Sequence, residues 1–138
     1  MKTYIIDTNA LISFITDRDT AQQEIIAAVF KNAARLKEKV FCPQNVLTEF
    51  IYVMEKVYRI PKMTIHTMIR NFISMPGIKI IHDIDLSILF SYWPEHIPDF
   101  GDAVVAGVCK ANKGSIVATF DKKFMGFLRR LDLPAGFY

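Results

Sequence analysis

The regular alternation of short apolar runs with longer helix-forming segments is the feature that most constrains the fold of this chain. The strand-like runs span residues 3–6, 40–42, 78–81 and 116–119, and each precedes a segment of helical character. The runs are largely continuous rather than alternating apolar and polar, which is typical of strands covered by helices on both faces. The sequence therefore predicts an α/β fold of three layers, α/β/α, with a central parallel sheet of four or five strands.

The segments between the strands carry apolar residues at helical spacing. They predict helices over residues 20–37, 44–58, 62–75, 84–92 and 101–111, with a turn at Pro76-Gly77. A length of 138 residues suits one domain, and there are no repeats or linkers. We therefore expect a single domain over residues 1–138.

Several protein classes are disfavoured by composition. No apolar run approaches the roughly 18 residues of a membrane span, and the N-terminus lacks the features of a secretory signal, so a cytoplasmic protein is expected. Cys42 and Cys109 match no metal-binding spacing and are expected to be buried, reduced thiols. The net charge of +3 is too small to indicate nucleic-acid binding by itself.

Acidic residues are expected at the carboxyl edge of the sheet, where open parallel sheets bind their ligands. Asp7 ends the first strand, and Asp121 lies two residues beyond Thr119 at the end of the last. Asp102 lies in the first turn of a helix that is otherwise almost wholly apolar. These three carboxylates should share one edge.

Glu49 is the fourth candidate, within the helix that follows the second strand. It borders the apolar arc of that helix beside Val46 and Val53 and can therefore reach inward. Glu55 borders the opposite margin and lies about 9 Å further along the helix axis, which makes it the weaker candidate.

Each acid also has a purely local interpretation. Asp7, Asp99 and Asp121 stand where helix N-caps stand, and Asp102 suits the first turn of a helix. Capping does not explain convergence, because two carboxylates 4 Å apart repel by about 4 kcal/mol at an effective dielectric constant of 20. Several such pairs would rival a domain's stability of about 5–15 kcal/mol.

A divalent cation would relieve this repulsion directly. Ligation by carboxylate oxygens alone favours hard ions, so Mg²⁺ or Mn²⁺ is expected. His66, His82 and His96 show no paired ligand spacing, so zinc is not indicated. A metal held by carboxylates can orient and activate water for attack on a phosphate, which is nuclease chemistry.

Polar and basic residues near the acids have two interpretations each. Thr8, Asn9 and Thr119 could donate hydrogen bonds that orient the carboxylates, or could serve local turns and caps. Lys122 and Lys123, which share the C-terminal segment with Arg129 and Arg130, could contact RNA phosphates or form a solvated helix face.

Four segments in this order resemble a PIN domain, and within that family the VapC-type toxins of toxin–antitoxin pairs. They are Ile-Asp-Thr-Asn-Ala-Leu-Ile at residues 6–12, Glu49, Asp-Ala at 102–103, and Ala-Thr-Phe-Asp-Lys-Lys-Phe at 118–124. Asp99 is a less settled match, since it either lines the pocket or begins a helix.

The resemblance implies a ribonuclease that acts on single-stranded or structured RNA, forms a homodimer and is blocked by a cognate antitoxin. By the same likeness Asp7, Glu49, Asp102 and Asp121 would be catalytic metal ligands, supported by Asn9 and Thr119. The C-terminal tail departs from the toxin pattern by ending soon after residues 131–134.

The leading hypothesis is a metal-dependent endoribonuclease, and the alternative is a non-catalytic PIN-like module that binds RNA or protein. Structured DNA as substrate is disfavoured, since so short a chain shows no additional DNA-binding element. An aspartyl phosphatase would need an acid where Asn9 stands, and a dinucleotide-binding domain would need glycines after the first strand.

Overall fold

The computed structural model describes residues 1–137, in which four strands alternate with seven helices. The strands are β1 (Lys2–Ile6), β2 (Glu38–Pro43), β3 (Ile78–Ile81) and β4 (Ile116–Ala118). The helices are α1 (Thr8–Ile15), α2 (Thr20–Ala34), α3 (Gln44–Lys56), α4 (Lys62–Ile73), α5 (Leu86–Tyr92), α6 (Phe100–Ala111) and α7 (Lys122–Arg130).

All neighbouring strands pair in parallel, in the order β3-β2-β1-β4. The predicted α/β/α fold with a central parallel sheet is therefore confirmed. Because the strands run in one direction, their carboxyl ends lie at a single edge, and each is followed by the residues that open the next helix. Tyr4 of β1 aligns with Val40 of β2 and with Ile116 of β4.

A short C-terminal segment lies beside β4, although it is not a regular strand. Val117 N donates a hydrogen bond of 2.8 Å to Pro134 O, and Gly136 N donates one of 2.9 Å to Val117 O. Ala135 thereby forms a parallel bridge with Val117. This segment occupies the place of a fifth strand.

The core lies between the sheet and its two helical layers. Ile5 and Ile6 in β1 and Val117 in β4 are completely buried, and so are Phe50 and Met54 in α3. Cys42 and Cys109 are free and buried as expected, and burial raises the pKa of the Cys42 thiol to about 12. No helix within residues 1–137 has the length and apolar character needed to cross a membrane.

The boundaries differ from prediction by one to three residues. The α2, α3 and α4 helices end at Ala34, Lys56 and Ile73 rather than at residues 37, 58 and 75, and two helix starts also differ. The α5 helix begins at Leu86 rather than residue 84 because Asp85 caps it, accepting a hydrogen bond from Ile88 N. The α6 helix begins at Phe100 because Asp99 is its N-cap. Acidic caps thus set helix starts that apolar spacing alone leaves uncertain.

Candidate active site

Asp7 lies at the centre of the carboxyl edge, directly after β1, and is only 4% exposed. Its Oδ1 accepts a hydrogen bond of 2.8 Å from Ala10 N and so caps α1. Its own backbone N–H donates to Ala118 O at the end of β4. The strand end and the helix cap therefore fix the carboxylate from both sides.

Thr119 joins Asp7 to Asp121. The Thr119 side chain hydrogen-bonds the Asp7 carboxylate, and its Oγ1 accepts a bond of 3.0 Å from Asp121 N. Asp121 caps α7 through Oδ1, which accepts from Lys123 N at 2.9 Å and from Phe124 N at 3.1 Å. Thr119 thus makes contacts suited to orienting two carboxylates.

The start of α6 adds Asp99 and Asp102. Asp99 Oδ1 accepts a hydrogen bond of 2.9 Å from Asp102 N, so the cap interpretation of Asp99 is confirmed. Asp99 nevertheless faces the same cleft as Asp102 and Asp121. It lines a cleft of about 110 Å³ together with Pro98, Asp102, Asp121, Lys123, Phe124 and Phe127.

Glu49 reaches the edge from α3. Its Oε2 accepts a hydrogen bond of 2.7 Å from Thr8 Oγ1. Its carboxylate also lies against Gly101, so closely that a Cβ at position 101 would overlap it. Asn45, one turn before Glu49, donates from Nδ2 to Gly101 O at 3.4 Å and links α3 to α6.

The acids influence one another through their charge. Burial raises the pKa of Asp7 to about 7, hydrogen bonds from Thr119 and Ala10 oppose the rise, and the charges of Asp121 and Glu49 add to it. Burial likewise raises the pKa of Asp102 to about 7, and Asp99, Asp7, Asp121 and Glu49 contribute further. The structure therefore brings all four predicted acids into one electrostatic cluster.

None of the clustered acids forms an ion pair within residues 1–137, although Lys123 lines the cleft. Across residues 1–137, side-chain ion pairs involve only Glu55, which lies 3.7 Å from both Lys56 and Lys62. In addition, Asn9 Oδ1 is buried without a hydrogen-bond partner. Uncompensated carboxylates and an unpaired amide oxygen are the donors that a hard divalent cation prefers.

The metal-ligand geometry is not preformed, however. Within residues 1–137, no three acidic, histidine or cysteine side chains stand close enough together to hold a metal in their present positions. The cap bonds hold Oδ1 of Asp7, Asp99 and Asp121 towards helix N-termini. The donor chemistry fits Mg²⁺ or Mn²⁺, and its use requires side-chain adjustment around the cleft.

The remaining predicted residues divide by position. Lys122 and Lys123 are exposed at the start of α7, and Lys123 lines the acidic cleft. His66, His82 and His96 are all exposed, and His82 Nδ1 lies 2.7 Å from Gln44 Oε1.

Sequence reasoning missed Gly101, Asn45 and Phe127. Asn45 could have been found, because it lies four residues before Glu49 on the same helical face. The close approach of Gly101 to Glu49 depends on how α3 packs against α6, and Phe127 carried no acidic or basic signal. These contacts are tertiary and leave little trace in local sequence.

The chain belongs to the PIN domain family, which it matches over residues 4–127. No curated protein shows significant similarity to the sequence.

Solved structures share the fold at low sequence identity. The chain is similar to VapBC2 from Rickettsia felis, crystallised with a DNA fragment from its promoter, at 17% identity and a TM-score of 0.69, covering 99% of this chain and 98% of that one. It is similar to VapC20 from Mycobacterium tuberculosis, a toxin that cleaves the sarcin-ricin loop, at 15% identity and a TM-score of 0.67, covering 89% and 93%. The PIN domain endonuclease Utp24 matches at 17% identity and a TM-score of 0.56, covering 96% and 82%.

Proposed function

We propose that the protein is a metal-dependent endoribonuclease that hydrolyses RNA phosphodiester bonds. The observation that supports this function best is the cluster of Asp7, Glu49, Asp102 and Asp121, which come from four different elements and have no cationic partner. Such a cluster costs stability unless something positive binds it. Membership of the PIN family favours a nuclease, which would use the acidic cluster to bind its metal.

Mg²⁺ or Mn²⁺ would be held by Asp7, Glu49, Asp102 and Asp121. When bound, such an ion would offset the carboxylate charge, help to orient water and stabilise charge that develops on the phosphate. Asn9, Thr119 and Asp99 support the ligands, and Thr8 orients Glu49 through its hydrogen bond. Lys123 at the cleft and Lys122 beside it bind the RNA backbone.

We further propose that this nuclease is the toxin of a toxin–antitoxin pair, acting in the cytoplasm as a homodimer. The fold likeness to VapC20 and VapBC2 supports this role. Exposed apolar surface suited to protein partners is also present: Tyr52 on α3 is 63% exposed, and an apolar cleft of about 430 Å³ separates α3 from α4. A cognate antitoxin and a second copy would use such surfaces.

The alternative is a non-catalytic PIN-like module that binds RNA or a protein. It is favoured by one observation, which is that no three candidate ligands within residues 1–137 stand together as a metal site. Calorimetric titration with Mn²⁺ separates the two functions. Binding that Asp102→Asn weakens supports the nuclease, and no measurable binding supports the module.

The nuclease is tested directly with labelled RNA. We expect cleavage that leaves a 5′-phosphate, requires Mg²⁺ or Mn²⁺, and disappears on addition of a chelator or with Asp7→Ala. Full activity after either treatment would disprove the proposal. A circular dichroism spectrum of Asp7→Ala controls for the loss of its helix cap, which typically costs about 0.5–2 kcal/mol.

A further inference from the structure

One wall of the acidic cleft is formed by α7, and it is not acidic. Lys123 and Phe127 both line the cleft, and they lie four residues apart on one helical face. Arg130 continues that face, with its guanidinium carbon 5.8 Å from the centre of the Phe127 ring. A cation, an aromatic ring and a second cation therefore follow one another along this face of α7, of which Lys123 and Phe127 line the cleft and Arg130 lies beyond it.

Packing of the core accounts for only part of this arrangement. The fully buried residues of α7 are Phe124 and Leu128. Phe127 packs against the core but remains partly exposed where it lines the cleft. Neither Lys123 nor Arg130 forms an ion pair with any residue of the described chain.

A partly exposed aromatic ring flanked by cations without ion-pair partners is suited to single-stranded nucleic acid. Bases stack on aromatic side chains, while lysine and arginine contact the phosphates on either side. Arginine beside the ring adds a cation–π contact. A duplex offers no comparable base face, because its bases are already stacked on one another.

We propose that Phe127 stacks on an unpaired RNA base next to the phosphate that approaches the acidic cleft, with Lys123 and Arg130 on the flanking phosphates. This inference rests on the proposed nuclease function and makes it specific, because it assigns the side chain that would stack on an unpaired base beside the cleft. Phe127 is a positioning and specificity residue rather than a group that acts on the reacting atoms.

The test compares binding of single-stranded and duplex RNA, all in an Asp7→Asn background to prevent cleavage. Fluorescence anisotropy measures the affinity of a short RNA that carries 2-aminopurine. The fluorescence intensity of 2-aminopurine, which falls when the base stacks, measures stacking. We expect Phe127→Leu to weaken single-stranded binding by about tenfold or more, as loss of one stacked base does. Duplex binding should be unchanged, and Phe127→Tyr should retain both affinity and quenching.

A matched control is Phe90→Leu, since Phe90 is an exposed aromatic residue on α5 that does not line the cleft. It should bind RNA as the parent does. Arg130→Gln provides a variant whose exposed position spares the fold, and it should weaken binding and lower the dependence of affinity on salt concentration. Thermal melting of each variant separates a binding defect from unfolding.

Unchanged affinity of Phe127→Leu, an equal loss on duplex RNA, or failure of Phe127→Tyr to retain quenching would overturn the stacking proposal while leaving nuclease function intact. If the Asp7→Asn parent binds no RNA and the unmodified protein cleaves none, the proposed function and this inference fall together.

Discussion

Two glutamates on α3 have opposite surroundings. Glu55 lies 3.7 Å from the ammonium groups of both Lys56 and Lys62. Glu49, six residues earlier, has no such neighbour in residues 1–137; it accepts a hydrogen bond from Thr8 and lies against Gly101 among other acids. The same helix therefore presents one neutralised and one uncompensated carboxylate.

The difference shows where this chain tolerates unfavourable charge. Surface pairs like those of Glu55 contribute only about 0–1 kcal/mol, so their presence says little about function. The charge of exposed Glu49 lies near buried Asp7, where it adds to the rise in the Asp7 pKa that burial causes. We propose that the acids at the sheet edge accept an external cation, and the following experiments test this proposal.

The largest expected effect comes from neutralising Glu49, and the same change at Glu55 is its control. Glu49→Gln should reduce RNA cleavage by more than about 100-fold, because losing a ligand should exceed the 10–100-fold cost of losing an outer partner. Glu55→Gln should leave cleavage within about twofold, as expected for a surface pair. Single-turnover assays in Mn²⁺ measure both, and similar rates for the two variants would remove the basis of the comparison.

Gly101→Ala should separate activity from stability. The new Cβ would displace the Glu49 carboxylate and lie 3.2 Å from Asp99 Oδ1, so we expect about a 10–100-fold loss of cleavage. The free energy of unfolding should change little. Alanine is favoured over glycine in helices by up to about 1 kcal/mol, which offsets the cost of moving the Glu49 side chain. Gly107→Ala, in ordinary contact with α5, is the control and should keep full activity.

Removing the hydrogen bond to Glu49 should have a smaller effect. Thr8→Val keeps the shape of the side chain but removes the hydrogen bond that orients Glu49. We expect about a tenfold loss of cleavage, which is the lower limit of the 10–100-fold loss typical when a residue that hydrogen-bonds a metal ligand is replaced. Affinity for Mn²⁺ should fall in parallel. Thr48→Val, on an exposed position beside Glu49 in sequence, serves as the control; equal losses would show that Thr8 has no particular role.

The smallest effect is a pH dependence of stability in the presence of chelator. The pKa values of Asp7 and Asp102 are about 7 in the folded protein, against ordinary values near 3.8, so the folded state holds more protons between these limits. Stability should therefore fall as pH rises from about 4 to 7, and the melting temperature should be a few degrees lower at pH 8 than at pH 5.

Two variants sharpen the pH experiment. Asp7→Asn should flatten the pH dependence, whereas Asp85→Asn, which alters another helix cap, should preserve it. Mn²⁺ should stabilise the protein more at pH 8 than at pH 5, because its ligands must lose their protons. A melting temperature that rises with pH in chelator would contradict the raised pKa values.

Much of the fold could be predicted from sequence because strand runs, helix spacing and acidic caps are local signals. The three layers, the parallel sheet and the four converging acids followed from them. Capping and site formation appeared as alternatives for Asp7, Asp99 and Asp121, yet each caps a helix and lies in the cluster. An acid can do both because the helices begin near the carboxyl ends of the parallel strands, and these ends lie at one edge of the sheet.

The rest depends on packing between elements distant in sequence. The fit of Glu49 to Gly101 and the position of Phe127 on the cleft wall arise from how α3 and α7 meet α6, which no local pattern encodes. Likewise, no three candidate ligands within residues 1–137 stand close enough to hold a metal. This depends on the positions of individual side chains, which the sequence does not specify.

The C-terminal segment beside β4 has a consequence for self-association. Its bonds with Val117 occupy backbone groups on the outer side of an edge strand that would otherwise offer a template for pairing with another chain. The strand that leads directly to Thr119 and Asp121 is therefore shielded from intrusion by foreign strands. A foreign strand could add to the sheet at the opposite edge, β3, where the exposed and charged Lys79 disfavours such pairing.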